Sequence, residues 1–153
     1  MNRLVLVPLV LYLLIPSAVA AQVKIDVAAK HYRVQEEIHA RVENTGGRSV
    51  TFCVELGQAS PRGAEIESTP SPFWVQEYSD SKWGTLMIGP DVGSIRAVVV
   101  LETGESKEFP FRLNDSGRMR LRLNYWYGSI LNMDCYAPPK RLKLATSSIF
   151  TID

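Results

Sequence analysis

From Val23 onward the chain alternates apolar and polar residues at every second position, and that pattern commits it to extended backbone. Val23, Ile25 and Val27 are followed by Ile38, Ala40 and Val42, the latter interleaved with His39, Arg41 and Glu43. Successive side chains of a strand point to opposite faces, so each run buries one face and leaves the other outside. A helix would need apolar residues recurring at three and four positions, and no window of about eleven residues has that spacing. The alternation continues through Val50, Phe52, Val54 and Leu56, through Phe109, Phe111 and Leu113, and through Met119, Leu121, Leu123 and Tyr125. Further strands are expected at Phe73 to Tyr78, Trp83 to Ile88 and Ile95 to Leu101, and a last one holds Phe150 and Ile152.

Turn chemistry separates these runs: Asn44-Thr45-Gly46-Gly47, Gly89 to Ser94, Glu102-Thr103-Gly104-Glu105 and Asn114-Asp115-Ser116-Gly117. Gln58 to Pro72, rich in Ser, Pro, Gly and Thr, reads as a long excursion rather than a strand. Roughly seven to nine short strands at this spacing predict an all-β, two-sheet antiparallel sandwich.

Residues 1–21 have the three parts of a secretory signal: the basic start with Arg3, the apolar run Leu4 to Ile15 broken only by Pro8, and the small residues up to Ala21. The run is shorter than the roughly 20 residues a membrane helix needs. Residues 22–153 are then one exported domain, periplasmic or secreted, with no stable membrane insertion after cleavage. Of the 17 basic and 16 acidic residues, Arg3 alone lies in the signal. The exported part is therefore balanced, which argues against nucleic acid as a partner, since phosphate-driven binding needs a basic field.

Cys53 and Cys135 are the two cysteines. In an oxidising compartment they are expected to form one disulfide. By alternation Cys53 shares a face with Thr51 and Glu55, opposite Phe52 and Val54, so the bridge is expected outside the sandwich, not between its sheets. Two cysteines and two histidines (His31 and His39) show none of the close pairings of zinc sites, so neither metal nor cofactor is expected.

The segment Asp115-Ser116-Gly117-Arg118-Met119-Arg120-Leu121 resembles the Asp-x-Gly-x-Tyr-x-Cys start of strand F in immunoglobulin domains, with Met119 in the tyrosine position and Leu121 in the cysteine position. The run from Tyr32 through Ile38 into Val42-Glu43-Asn44-Thr45-Gly46, and later Leu101 to Ser106 before a Phe-x-Phe strand, is similar to bacterial immunoglobulin-like modules. Bacterial immunoglobulin-like proteinase inhibitors share that layout. The resemblance covers most of residues 22–153 and implies an immunoglobulin-like sandwich; fold alone does not assign an activity.

Several groups carry possible chemistry. Hydrolysis would need His31 or His39 as base, and no serine lies in a Gly-x-Ser-x-Gly elbow, so no catalytic residue is assigned. Asp91 and Asp115 suit turn hydrogen bonds. Asn114-Asp115-Ser116 fits the N-glycosylation pattern, which matters only in a eukaryotic host. Arg118, Arg120 and Arg122 alternate with core residues and therefore share an outer face, where they either pair across strands with acids such as Glu55 or receive an acidic ligand. The rings of Tyr125-Trp126-Tyr127, with Trp74 and Trp83 earlier, could present flat faces to a sugar or protein partner; Trp126 falls on the arginine face, exposed for such a partner or tucked under the loop Gly128 to Arg141, which also carries Tyr136. The expectation is a non-catalytic binding module for an unknown protein or carbohydrate, using Arg118, Arg120, Arg122, Trp126 and Tyr136. A proteinase inhibitor is the alternative, and a small hydrolase the alternative of another class.

Overall fold

The structure is a computed structural model and describes residues 22–58, 71–86, 94–128, 135 and 140–153, with backbone alone at 56–58, 94 and 95. The expected signal (1–21), most of the Gln58 to Pro72 excursion, the Gly89 to Gly93 turn, Tyr136 and most of the Gly128 to Arg141 loop lie outside the described residues, as does the Leu56 side chain.

Strands β1 (Val23–Val27), β3 (Ile38–Asn44) and β8 (Ser106–Phe111) form a three-stranded sheet in the order β1-β3-β8. Proline lacks the N–H a central strand must donate, and Pro110 sits on β8 at the edge of this sheet. The larger, eight-stranded sheet follows the path β2-β11-β9-β4-β7, made from β2 (His31–Tyr32), β11 (Phe150–Ile152), β9 (Gly117–Tyr127), β4 (Val50–Gln58) and β7 (Ser94–Leu101). Off that path, β10 (Lys143–Thr146) pairs with β9, and the hairpin of β5 (Trp74–Ser79) and β6 (Lys82–Leu86) pairs with β9 through β5. All pairings are antiparallel except β2 with β11. Among the described residues eight strands have five or more residues; β2, β10 and β11 are shorter.

The eleven-residue β9 organises the large sheet. One edge pairs with β11 at Gly117–Met119 and with β10 at Arg122–Tyr125; the other pairs with β5 at Arg118–Arg122 and with β4 at Trp126 and Tyr127. Between β10 and β11 the chain leaves the ladder at Ser147, whose buried hydroxyl accepts the Leu121 N–H at 2.9 Å while its own N–H donates to the Leu121 carbonyl at 3.0 Å. The interruption costs no backbone partner on β9.

The alternation read from the sequence places the core. Ile38, Ala40 and Val42 of the small sheet face Val50, Phe52, Val54, Met119, Leu121 and Leu123 of the large one, all buried. Rings join the layers edge to face: Phe52 meets Phe109, and Phe109 meets Phe73, each at 5.9 Å between centroids. Full burial of side chains of this size stabilises by about 1.5–3 kcal/mol each.

Candidate binding face on the large sheet

Because odd positions of β9 point into the core, its even positions point outward: Arg118, Arg120, Arg122, Asn124 and Trp126. Cross-strand register sets their neighbours. Arg118 lies opposite Tyr78, Arg120 opposite Gln76 and Arg122 opposite Trp74, and one strand further Trp83 lies opposite Tyr78 and Thr85 opposite Gln76.

Arg118 and Arg120 therefore meet aromatic rings, not the cross-strand acids that are one of the two outcomes read from the sequence. The Arg120 guanidinium lies 4.1 Å from the Trp83 ring centroid and donates through Nε to Gln76 Oε1 at 2.9 Å. Arg118 lies 5.0 Å from the Tyr78 ring, which itself packs on Trp83 at 5.2 Å. Each cation–π contact is worth about 0.5–1 kcal/mol where exposed and leaves the positive charge in place. Among the described residues no acid lies within ion-pair distance of Arg118, Arg120 or Arg122. Glu55 cannot serve because β4 borders β9 only at Val50 and Thr51; its register partner is Arg96 of β7. Trp74, beside Arg122, is 42% exposed and completes the open part of the face.

The other end of the same face is closed. Cys53 and Cys135 are disulfide-bonded with Cα atoms 5.8 Å apart, and the bridge stands on the outer side of β4, as Cys53's position in the alternation predicts. The Cys135 carbonyl accepts a hydrogen bond from Arg96 at 3.3 Å. Trp126 is only 4% exposed, so it is not a surface ring, and its buried indole N–H has no acceptor among the described residues. Thr51, also outward by parity, is fully buried and donates its hydroxyl to the Gly128 carbonyl at 2.5 Å. The sheet thus divides at about Asn124 into an open arginine–aromatic half and a buried half at Thr51 and Trp126, on the side where Cys135 is bonded to β4. Of the residues singled out in the sequence, Arg118, Arg120 and Arg122 come together in the open half, Trp126 belongs to the buried half, and Tyr136 lies outside the described residues. The aromatic partners Trp74, Tyr78 and Trp83 were not joined to the arginines by sequence reasoning, because alternation gives a side chain's face but not which strand lies alongside it.

On the opposite sheet His39 bridges two carboxylates: Nδ1 is 2.6 Å from Glu108 and Nε2 is 3.1 Å from Glu37, which also meets Arg112 at 3.2 Å. The hydrogen bond with Glu108 is the largest influence and, with the charges of Glu108 and Glu37, holds the imidazole pKa above its usual 6.5 against an opposing desolvation. His31, on β2 of the other sheet, is not part of this group. Three His, Cys, Asp or Glu side chains placed to share a metal ion are not found among the described residues.

No family model matches this sequence, and no curated protein does. Ten chains among solved structures match. One is the sporulation control protein Spo0M from Bacillus subtilis, with 15% identity, a TM-score of 0.42, and coverage of 87% of this chain and 50% of that one. The chain thus spans half the length of that structure.

Proposed function

We propose that this chain is an exported, immunoglobulin-like, non-catalytic binding module whose ligand lies on the open half of the large sheet. The observation that carries the reading is the arginine row of β9, with Arg118 and Arg120 held against aromatic rings and no carboxylate at ion-pair distance among the described residues. Charges that a fold needs only for solubility scatter and pair; here three of one sign stand side by side, and a ligand that neutralises them relieves their repulsion. Export is supported by the signal-like residues 1–21 and by the disulfide, which persists in oxidising compartments. The immunoglobulin-like assignment is supported by the Asp115-Ser116-Gly117 corner that opens β9, where Gly117 adopts φ +140° and an added Cβ would meet Glu77 Oε1 at 3.0 Å.

The test is a titration of the ¹⁵N-labelled protein with fractionated material from the cell envelope and surroundings. Shifts gathered at Trp74, Arg118, Arg120 and Arg122, and absent in the double variant Trp74→Ala, Arg118→Ala, are expected. Shifts confined to other surfaces, or turnover of the added material, would rule the reading out.

A second reading, proteinase inhibition, is favoured by the disulfide, because pinning a connecting segment to a rigid strand lowers the entropy lost when it meets a partner. Inhibition of a secreted protease that disappears in Cys135→Ala but survives substitution of the arginines would favour it over the first.

A further inference from the structure

Three features of the open half bear on the chemistry of its ligand. Trp74 and Arg122 are register partners on adjacent strands, so an exposed indole and a guanidinium lie side by side and point the same way. The guanidinium groups of Arg118 and Arg120 are anchored on rings, and Arg120 is further fixed by Gln76, so their side chains lose little freedom when a ligand arrives. The β9 arginines recur at every second residue, a repeat of about 6.6–6.8 Å along an extended strand.

An indole presents an electron-rich face, which suits the C–H-lined side of a pyranose ring. A guanidinium presents a planar fork of donors, which suits a carboxylate better than a compact ammonium would. A ligand that uses both at once is a sugar carrying a carboxylate, and a flat sheet with a repeating cation row fits a linear polymer of such sugars better than an enclosed small molecule. An extended acidic peptide is less suited to the arginine row: peptides add to sheets through free strand edges, β9 is paired along both of its edges, and on the β5 side the edge left free among the described residues is that of β6, two strands away.

We infer that the face formed by Trp74, Arg118, Arg120 and Arg122 binds an acidic polysaccharide of the uronate type, with a pyranose stacked on Trp74 and successive carboxylates on the arginines. The inference rests on the reading of this face as the binding surface and adds the ligand class to it.

The experiment is calorimetric titration of the full chain, at about 0.1 M salt so that long-range attraction is screened. The probes are tetragalacturonic acid, its methyl ester, neutral tetra-N-acetylchitotetraose, and poly-glutamate of matched charge. The acid is expected to bind, with affinity reduced about tenfold by Arg122→Gln, the loss of one charge-assisted contact, and by about a hundredfold or more by full esterification, which removes every carboxylate. Trp74→Ala is expected to cost about tenfold as well, while His39→Ala on the opposite sheet leaves affinity unchanged. Both residues of the face are accessible, and an unchanged ¹⁵N spectrum elsewhere confirms that each variant is folded. Equal binding of poly-glutamate, or of the ester, overturns the inference by showing attraction to charge alone or to sugar alone. No binding of the acid while envelope material still shifts Trp74 and the arginines overturns the ligand class and spares the binding face. Silence in both titrations removes both.

Discussion

The Asn44 carboxamide donates to the Leu101 carbonyl at 3.0 Å, a hydrogen bond that ties the small sheet to the large one across 57 residues of sequence. The same Nδ2 donates to the Arg48 carbonyl at 2.8 Å, and Oδ1 accepts the Gly46 N–H at 3.1 Å. The backbone of Asn44 meanwhile donates to Glu105 and accepts from Gly104. One fully buried side chain thus holds the turn after β3 against the turn between β7 and β8.

Asn44→Ala is therefore expected to destabilise the protein by about 2–4 kcal/mol, because it removes the side-chain donor to the Leu101 carbonyl and the acceptor of the Gly46 N–H, while the Arg48 carbonyl keeps its bond from Gln22. Urea unfolding measures this. A loss below about 0.5 kcal/mol would mean that the two turns hold together without the carboxamide.

The β5–β6 hairpin turns through Asp80 and Ser81, both with positive φ, at 50° and 63°. Two-residue hairpin turns of this kind favour glycine at the second position, where a Cβ is costly. Ser81→Gly should stabilise the protein by about 0.5–1 kcal/mol, visible as a higher denaturation midpoint with unchanged slope. Ser81→Val should do the reverse.

His39 should titrate above 6.5 in an NMR pH series, and Glu108→Gln should bring its midpoint back toward that value. Protonation is favoured in the folded state, so the stabilisation is complete below the unfolded midpoint and fades as pH rises through the folded one. The stability difference between the wild-type protein and Glu108→Gln should shrink over that window. A pH-independent difference would show that the Glu108 contact does not depend on imidazolium.

Removing the disulfide by Cys53→Ala with Cys135→Ala should destabilise by at most about 4 to 5 kcal/mol, the chain-entropy value for a separation of 82 residues. Fluorine NMR of fluorotryptophan-labelled protein resolves Trp74, Trp83 and Trp126 separately. Only the Trp126 resonance should move toward its solvent-exposed position; if it stays, the cover over that ring does not depend on the bridge.

Much of the sandwich is legible in the residues. Ile38, Ala40 and Val42, and later Met119, Leu121 and Leu123, occupy the interior that their spacing assigns to them, because in a strand parity alone decides the face. β2 and β10 escaped notice for a physical reason. Two residues, or four with Ala145 alone buried, carry no periodicity, and their pairing comes from neighbours brought by the rest of the fold. The site was half legible. Parity put Arg118, Arg120, Arg122 and Trp126 on one side, but which of them meets water depends on what lies over them. A disulfide between cysteines 82 positions apart stands beside the buried end, and a hairpin from elsewhere in the chain supplies the rings at the other.

β9 separates two kinds of selection within a single stretch of backbone. Residues 119, 121 and 123 are committed to the interior, whereas 118, 120 and 122 lie on the other face, where Arg120 also bonds the buried Gln76, so the outer set can be rewritten without repacking the apolar one provided Gln76 keeps a partner. Relatives that share this interior while differing at the three even positions would be the same scaffold turned toward different targets. A library randomised only there and at Trp74 should remain foldable while changing what it recognises.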